Sequence, residues 1–283
     1  MGTTQRIIPG VTGEPNWSDL SNALTALANT VEKEMLVVDQ ADEAREKEKT
    51  TPTQANQNAV AALERQQMKL TNRSQRHFNS AIKNLILTGG GGSKVSKGKS
   101  SSLGKAGLRN GARISGFVRD VSNSGLGAAL NKLGFGSLKG KTVKEVVDFL
   151  LIYFADVNAG MDEVAANMAS CQVMEILSED VKTVQELEDK MKTLFDTGKL
   201  TELICTFYGI YLFEHLSQRF EEKITQLKGE AVSRETFKMI REDIIAQVTD
   251  MSKEKSLSEI DWKGTDGAAI QEAIFNSIIK IFE

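Results

Sequence analysis

A chain of 283 residues has room for one or two domains, and its 40% hydrophobic content is slightly lean for a wholly packed protein. No apolar run approaches the ~20 residues that cross a bilayer, and two cysteines, Cys171 and Cys205, fit a reducing cytoplasm. The 35 basic and 38 acidic residues nearly cancel, yet twelve of the basic ones lie between Arg65 and Arg119, a stretch without Asp or Glu, leaving 23 basic against 38 acidic elsewhere. Charge segregation of that size bears on partners rather than on fold.

Residues 1–17 mix Gly, Pro, Thr and Asn without a period and lack the apolar core of a signal peptide, which reads as a flexible leader. From Ser18, the residues Leu20, Leu24, Leu27, Val31, Met35 and Val38 recur every three or four positions and predict one helix. Its charged continuation, Asp42 to Lys49, ends at Thr51-Pro52, because proline disfavours the helical region in the residue before it. A second helix is predicted from about Gln54, on Val60, Leu63, Met68, Leu70, Phe78, Ile82 and Leu85, until Gly89 to Gly92 stop it. The two make an N-terminal helical region, 18–88. Residues 89–140, rich in Gly, Ser and Lys, read as a mobile basic connector, since so little apolar surface cannot offset the entropy of ordering.

Beyond Gly140 the patterning is densely helical. Thr142-Val-Lys-Glu145 and Thr183-Val-Gln-Glu186 match the capping box and fix two helix starts. Helices are predicted near 142–157, 161–178, 183–196, 199–228, 233–251 and 266–282, and no stretch alternates as a strand would. The expected fold is all-α, with a C-terminal helical domain over 141–283.

Several chemistries can be weighed against these elements. Gly98-Lys99-Ser100 resembles the end of a phosphate-binding loop, but Gly92 to Gly98 leaves five residues where that loop needs four to curl its N–H groups round one phosphate. The soft and imidazole ligands His77, Cys171, Cys205 and His215 include no close pair of the kind zinc uses, so neither metal nor cofactor is expected. Cys171 and His215 could meet across a bundle, although a buried thiol and a hydrogen-bonded histidine explain them more simply. The acid pairs Glu221-Glu222 and Glu242-Asp243 read as solvated helix faces. Lys94, Lys97, Lys99, Lys105, Arg109 and Arg113 of the connector could contact nucleic acid through phosphates, which asks only for cations, while the near absence of aromatic residues argues against base stacking. At the start of the chain, Gly2 is small enough to let Met1 be removed, and Arg6 stands where myristoylation needs Ser or Thr.

Several of these residues together are similar to one family. The Met1-Gly2-Thr3-Thr4 start, Pro15-Asn16-Trp17, the Gly-rich basic middle, the aromatic helix with Tyr208, Tyr211, Phe213, His215 and Arg219, and Asp261-Trp262 with Gly264 and Gly267 resemble the QatB family of the bacterial Qat anti-phage system. The resemblance implies a non-enzymatic subunit beside an ATPase (QatA), a protein like the deazaguanine-synthesis enzyme QueC (QatC) and a TatD-like nuclease (QatD). QueC-like enzymes activate a carboxylate with ATP and transfer nitrogen to it, so the α-amine of Gly2 is the expected acceptor of a deazaguanine-type adduct. Thr3, Thr4 and Trp17 are the residues such a partner would read. A subunit that holds nucleic acid on its basic connector is the competing expectation.

Overall fold

The computed structural model describes residues 15–155, 160–254, 257, 260–262 and 267–283. They form eleven helices without a strand among the described residues, and no described helix is long and apolar enough to cross a membrane. The chain divides into two compact units. One comprises the first 88 residues and Arg219–Ile240, the other Gly89–Gln218 and Arg241–Glu283.

The first unit is built on α1 (Pro15–Thr50) and α2 (Gln54–Thr88). Helix α1 starts three residues ahead of the expected Ser18, with Pro15 at a first-turn position where its missing N–H costs nothing. The break at Pro52 is held by Thr53, whose Oγ1 accepts from the Asn56 N–H at 3.3 Å, and Arg45 crosses the hairpin to Glu64 at 3.2 Å.

Helix α1 faces its partner along Leu20, Ala23, Leu27, Thr30, Glu34, Val37 and Ala41, spaced alternately three and four, the seam of two helices wound round each other. All are buried except the half-buried Glu34, whose carboxyl burial pushes above its usual value. Leu24, Ala28 and Val31, on the flank of that seam, are buried too. There Arg219–Ile240 also packs on α1: Trp17 lies 5.2 Å from Phe220, ring to ring, and Lys228 pairs with Glu32 at 2.8 Å. Val38, one heptad beyond Val31, is exposed and Val37 takes the inside position on the seam with α2, which corrects the expected stripe.

The second unit contains α3 (Gly92–Ser96), α4 (Lys105–Ser124), α5 (Leu126–Lys132), α6 (Val143–Phe154), α7 (Met161–Ser178), α8 (Val184–Asp196) and α11 (Gly267–Phe282). Helices α9 (Leu200–Lys228) and α10 (Glu230–Ser252) contribute a part to each unit. Both expected capping boxes are formed, Thr142 with Glu145 and Thr183 with Glu186.

The main departure from expectation is the segment 89–140. It is not a loose connector: α4 lies at the middle of the second unit, against α5, α7, α8 and α11. Its Ile114, Phe117, Val118 and Val121, spaced by three, one and three, are buried, as are Val95 and Leu103 ahead of it. The glycines here permit close packing. A Cβ on Gly107 would stand 2.8 Å from the Tyr211 ring, and one on Gly111 would stand 2.7 Å from Gln271 Oε1 and 2.9 Å from the Tyr208 hydroxyl. Two helices approach so closely only where one lacks side chains, and composition alone cannot distinguish that use of glycine from flexibility.

Candidate functional site

A polar cluster inside the second unit is built around Asp162, in the first turn of α7. Its Oδ1 accepts from the Gly104 N–H at 3.2 Å and lies 3.1 Å from His215 Nε2, while Oδ2 accepts from the Ala106 N–H at 2.8 Å. Tyr211, one turn before His215 on α9, donates its hydroxyl proton to Oδ1 and accepts the Gly104 N–H. Burial pushes the Asp162 carboxyl up, but the hydrogen bond and charge of His215, the Tyr211 hydroxyl and the Ala106 amide outweigh it and hold the group at about 2. Burial, reinforced by the Asp162 charge, pushes the Tyr211 phenol well above its usual value, so it remains a donor.

Asp162 thus supplies the acceptor that the free N–H groups at the start of α4 require, from another helix. Asn110 continues the join, donating to Asn167 Oδ1 and Ser170 Oγ, each at 3.2 Å. On the neighbouring face Tyr208 donates to Gln271 Oε1 at 2.7 Å, and Gln271 Nε2 donates to Ser115 at 2.9 Å, linking α9, α11 and α4. His215 is fully buried, and the acid, imidazole and phenol join α4, α7 and α9.

Sequence reasoning had His215 as a candidate but missed Asp162, which lies 53 positions away. The available signal was the four-residue spacing of Tyr211 and His215, which puts both on one helix face. Cys171 is exposed on α7, whereas Cys205 is buried and its thiol is pushed up to about 12 by burial, with Glu202 adding to it. No group of three His, Cys, Asp or Glu among the described residues could hold a metal ion. The Gly92 N–H of the imperfect phosphate loop is taken by Glu283 Oε1 at 3.0 Å.

The residues expected to meet partners are scattered. Gly2, Thr3 and Thr4 lie outside the described residues. Trp17 sits in the first turn of α1 with the Arg219 guanidinium 5.3 Å from its ring centre, half-buried between Arg219 and Phe220. Lys94, Lys97, Lys99 and Lys105 are exposed. Arg109 instead faces Glu163 at 3.5 Å, and Arg113 donates to the Phe154 and Ala155 carbonyls at 3.2 Å, closing the end of α6. Trp262 is buried and donates to Thr201 at 3.0 Å.

The surface of α6 and α7 carries uncovered apolar side chains: Ile152, Val164, Met168 and Ile176 are all exposed. Beside Ile176 lies an open cavity of about 430 Å³ lined by Gln172, Glu175, Ser178, Glu179 and Arg241. Arg241 donates to Gln172 at 2.6 Å, Gln172 donates to Glu214 at 2.7 Å, and the guanidinium lies 5.8 Å from the Phe213 ring centre. These bonds fix a polar edge next to an apolar one.

The family described as QatB, Qat anti-phage system associated protein QatB, matches residues 90–282, more than half of the chain. Neither a curated protein nor a solved structure matches.

Proposed function

The chain belongs to the QatB family of the Qat anti-phage system, and on that premise we propose that it serves the system as a docking subunit and as a protein substrate, modified at its N-terminus, rather than as a catalyst. The observation that supports docking is the exposed apolar row Val164, Met168 and Ile176 on α7, bordered by the ordered Arg241–Gln172–Glu214 chain. An apolar patch with a fixed polar rim is the usual make-up of a protein contact. The buried state of His215 and Asp162 supports a non-catalytic role for the most concentrated set of reactive side chains described.

The acceptor in this reading is Gly2, which stands thirteen positions ahead of the start of α1. Without a side chain, a glycine amine can enter a narrow active site where a QueC-like partner has activated a deazaguanine carboxylate. An amide bond then forms between that carboxylate and the Gly2 nitrogen, the activating nucleotide leaves, and the amine gives up a proton. Recognition of the start of the chain falls to Thr3 and Thr4, with Trp17 marking where the helix begins.

Mass spectrometry of the chain co-expressed with the other Qat components tests this. The expected result is a single adduct on the N-terminal peptide beginning at Gly2, abolished when the QueC-like partner is omitted. An unmodified Gly2, or an adduct on another residue, overturns it.

A further inference from the structure

The acid-free tract divides into three physically different parts once folded. Three of its arginines belong to α4, four lysines are exposed around α3 and the start of α4, and five cations lie on α2. The last group is the most ordered. Arg65, Lys69, Arg73, Arg76 and Lys83 are all exposed, and their spacings of four, four, three and seven keep them within about 80° of one helix face at 100° per residue. The buried residues of the same helix, among them Val60, Phe78, Ala81, Ile82 and Leu85, occupy the opposite side.

From Arg65 to Lys83 the row is about 27 Å long, at ~1.5 Å per residue. The nearest acid in α2 is Glu64, which is paired with Arg45, and Arg65, Lys69, Arg73 and Arg76 have no ion-pair partner among the described residues. Burial, and then the charges of Arg73 and Arg76, push the His77 imidazole below its usual value.

We infer that this face of α2 is a docking surface for the phosphate backbone of duplex DNA, read by charge and without regard to sequence. A duplex presents one phosphate charge per ~1.7 Å of axis on a stiff rod, so a straight row of about 27 Å runs beside roughly eight base pairs. The row contains no aromatic side chain, and unpaired bases are held chiefly by stacking on rings. That favours a duplex over a single strand. The surface lies outside residues 90–282 and is independent of the modification proposed at Gly2.

Binding of the full chain to a fluorescent 24-base-pair DNA is measured by anisotropy between 50 and 200 mM salt. Four to five phosphate contacts give a slope of log affinity against log salt of roughly −4, at about −0.9 per contact. Replacing Arg65, Lys69, Arg73 and Arg76 by Gln, a good helix former, removes most of that slope. The matching variant with Gln at 94, 97, 99 and 105 keeps it. Arg65→Lys, Arg73→Lys and Arg76→Lys combined also keep it, because phosphate contacts need only charge, and this variant controls for damage to the hairpin. The inference is overturned by an absence of binding at 50 mM salt, by an unchanged slope in the α2 Gln variant, or by tighter binding of a single strand. Displacement by polyglutamate at equal charge concentration overturns it in favour of an acidic protein partner.

Discussion

Replacing Gly107 by Ala separates two opposed accounts of the Gly-rich segment. In a mobile connector the change would leave stability unaltered, and in a solvated helix it would stabilise by up to ~1 kcal/mol, because glycine is the poorer helix former. In the structure the new methyl group would lie 2.8 Å from Tyr211 Cε1 and 2.9 Å from Cζ. Carbon atoms rest at roughly 3.5–4.0 Å, so the ring or α4 must yield by about 0.7–1 Å. The ring cannot swing aside freely, because its hydroxyl holds both Asp162 and the Gly104 N–H. Overpacking of this kind costs about 1–3 kcal/mol, and a ring fixed at its far end belongs at the upper limit. After the helix gain, the expected net loss is about 2 kcal/mol, or roughly 4–8 °C in Tm for a chain of this size. Gly116, on the same helix but with nothing within 4 Å of its Cβ position, is the control, and Gly116→Ala should raise stability by about 0.5–1 kcal/mol. Thermal and urea unfolding followed by circular dichroism measure both. If Gly107→Ala stabilises as Gly116→Ala does, the close packing of α4 on α9 described above is wrong.

Two further outcomes follow from the pKa shifts. The Asp162 carboxyl, ordinarily near 3.8, is held at about 2 in the fold, so the stability it contributes is fully present above pH 3.8 and is lost as the pH falls through about 2. The difference amounts to about 2 kcal/mol, and urea unfolding between pH 5 and 2 should show Asp162→Asn lacking that part of the decline while being less stable at pH 7. Glu34 has the opposite sign: its folded value is raised above 4.5, so its ionisation opposes folding as the pH rises through that interval. Glu34→Leu, on the α1–α2 seam, should therefore stabilise near neutral pH, with a smaller gain below pH 4.5, measured by the same unfolding curves.

The helices beyond Gly140 were legible because their boundaries are written locally. Thr183 and Glu186, for example, satisfy each other three residues apart, and no distant contact is needed to place the start of α8. Val38 was misplaced for the opposite reason: the local period admits either Val37 or Val38 inside, and the seam with α2 takes Val37. The α4 pattern Ile114, Phe117, Val118 and Val121 carries the helical period, but the surrounding Gly, Ser and Lys concealed it. The meaning of Gly107 lies in a ring about a hundred positions away. The Asp162 cluster was half legible, since Tyr211 and His215 share a face of one helix, while the acid joining them sits on another. The cations of α2 were visible as a charge excess, and only the helix phase turned the excess into a line.

The division of the chain also constrains how it can be made. The boundaries at Gln218–Arg219 and Ile240–Arg241 fall inside α9 and α10. During synthesis α1 and α2 emerge first, but Phe220 and Lys228, which meet Trp17 and Glu32 of α1, appear only roughly 7–28 s later at common ribosome speeds. For that interval Trp17 and Glu32 lack these partners. The same dependence runs the other way. A fragment of residues 90–282, the span the family matches, would lack Trp17, whose ring lies 5.2 Å from that of Phe220, and Glu32, which pairs with Lys228.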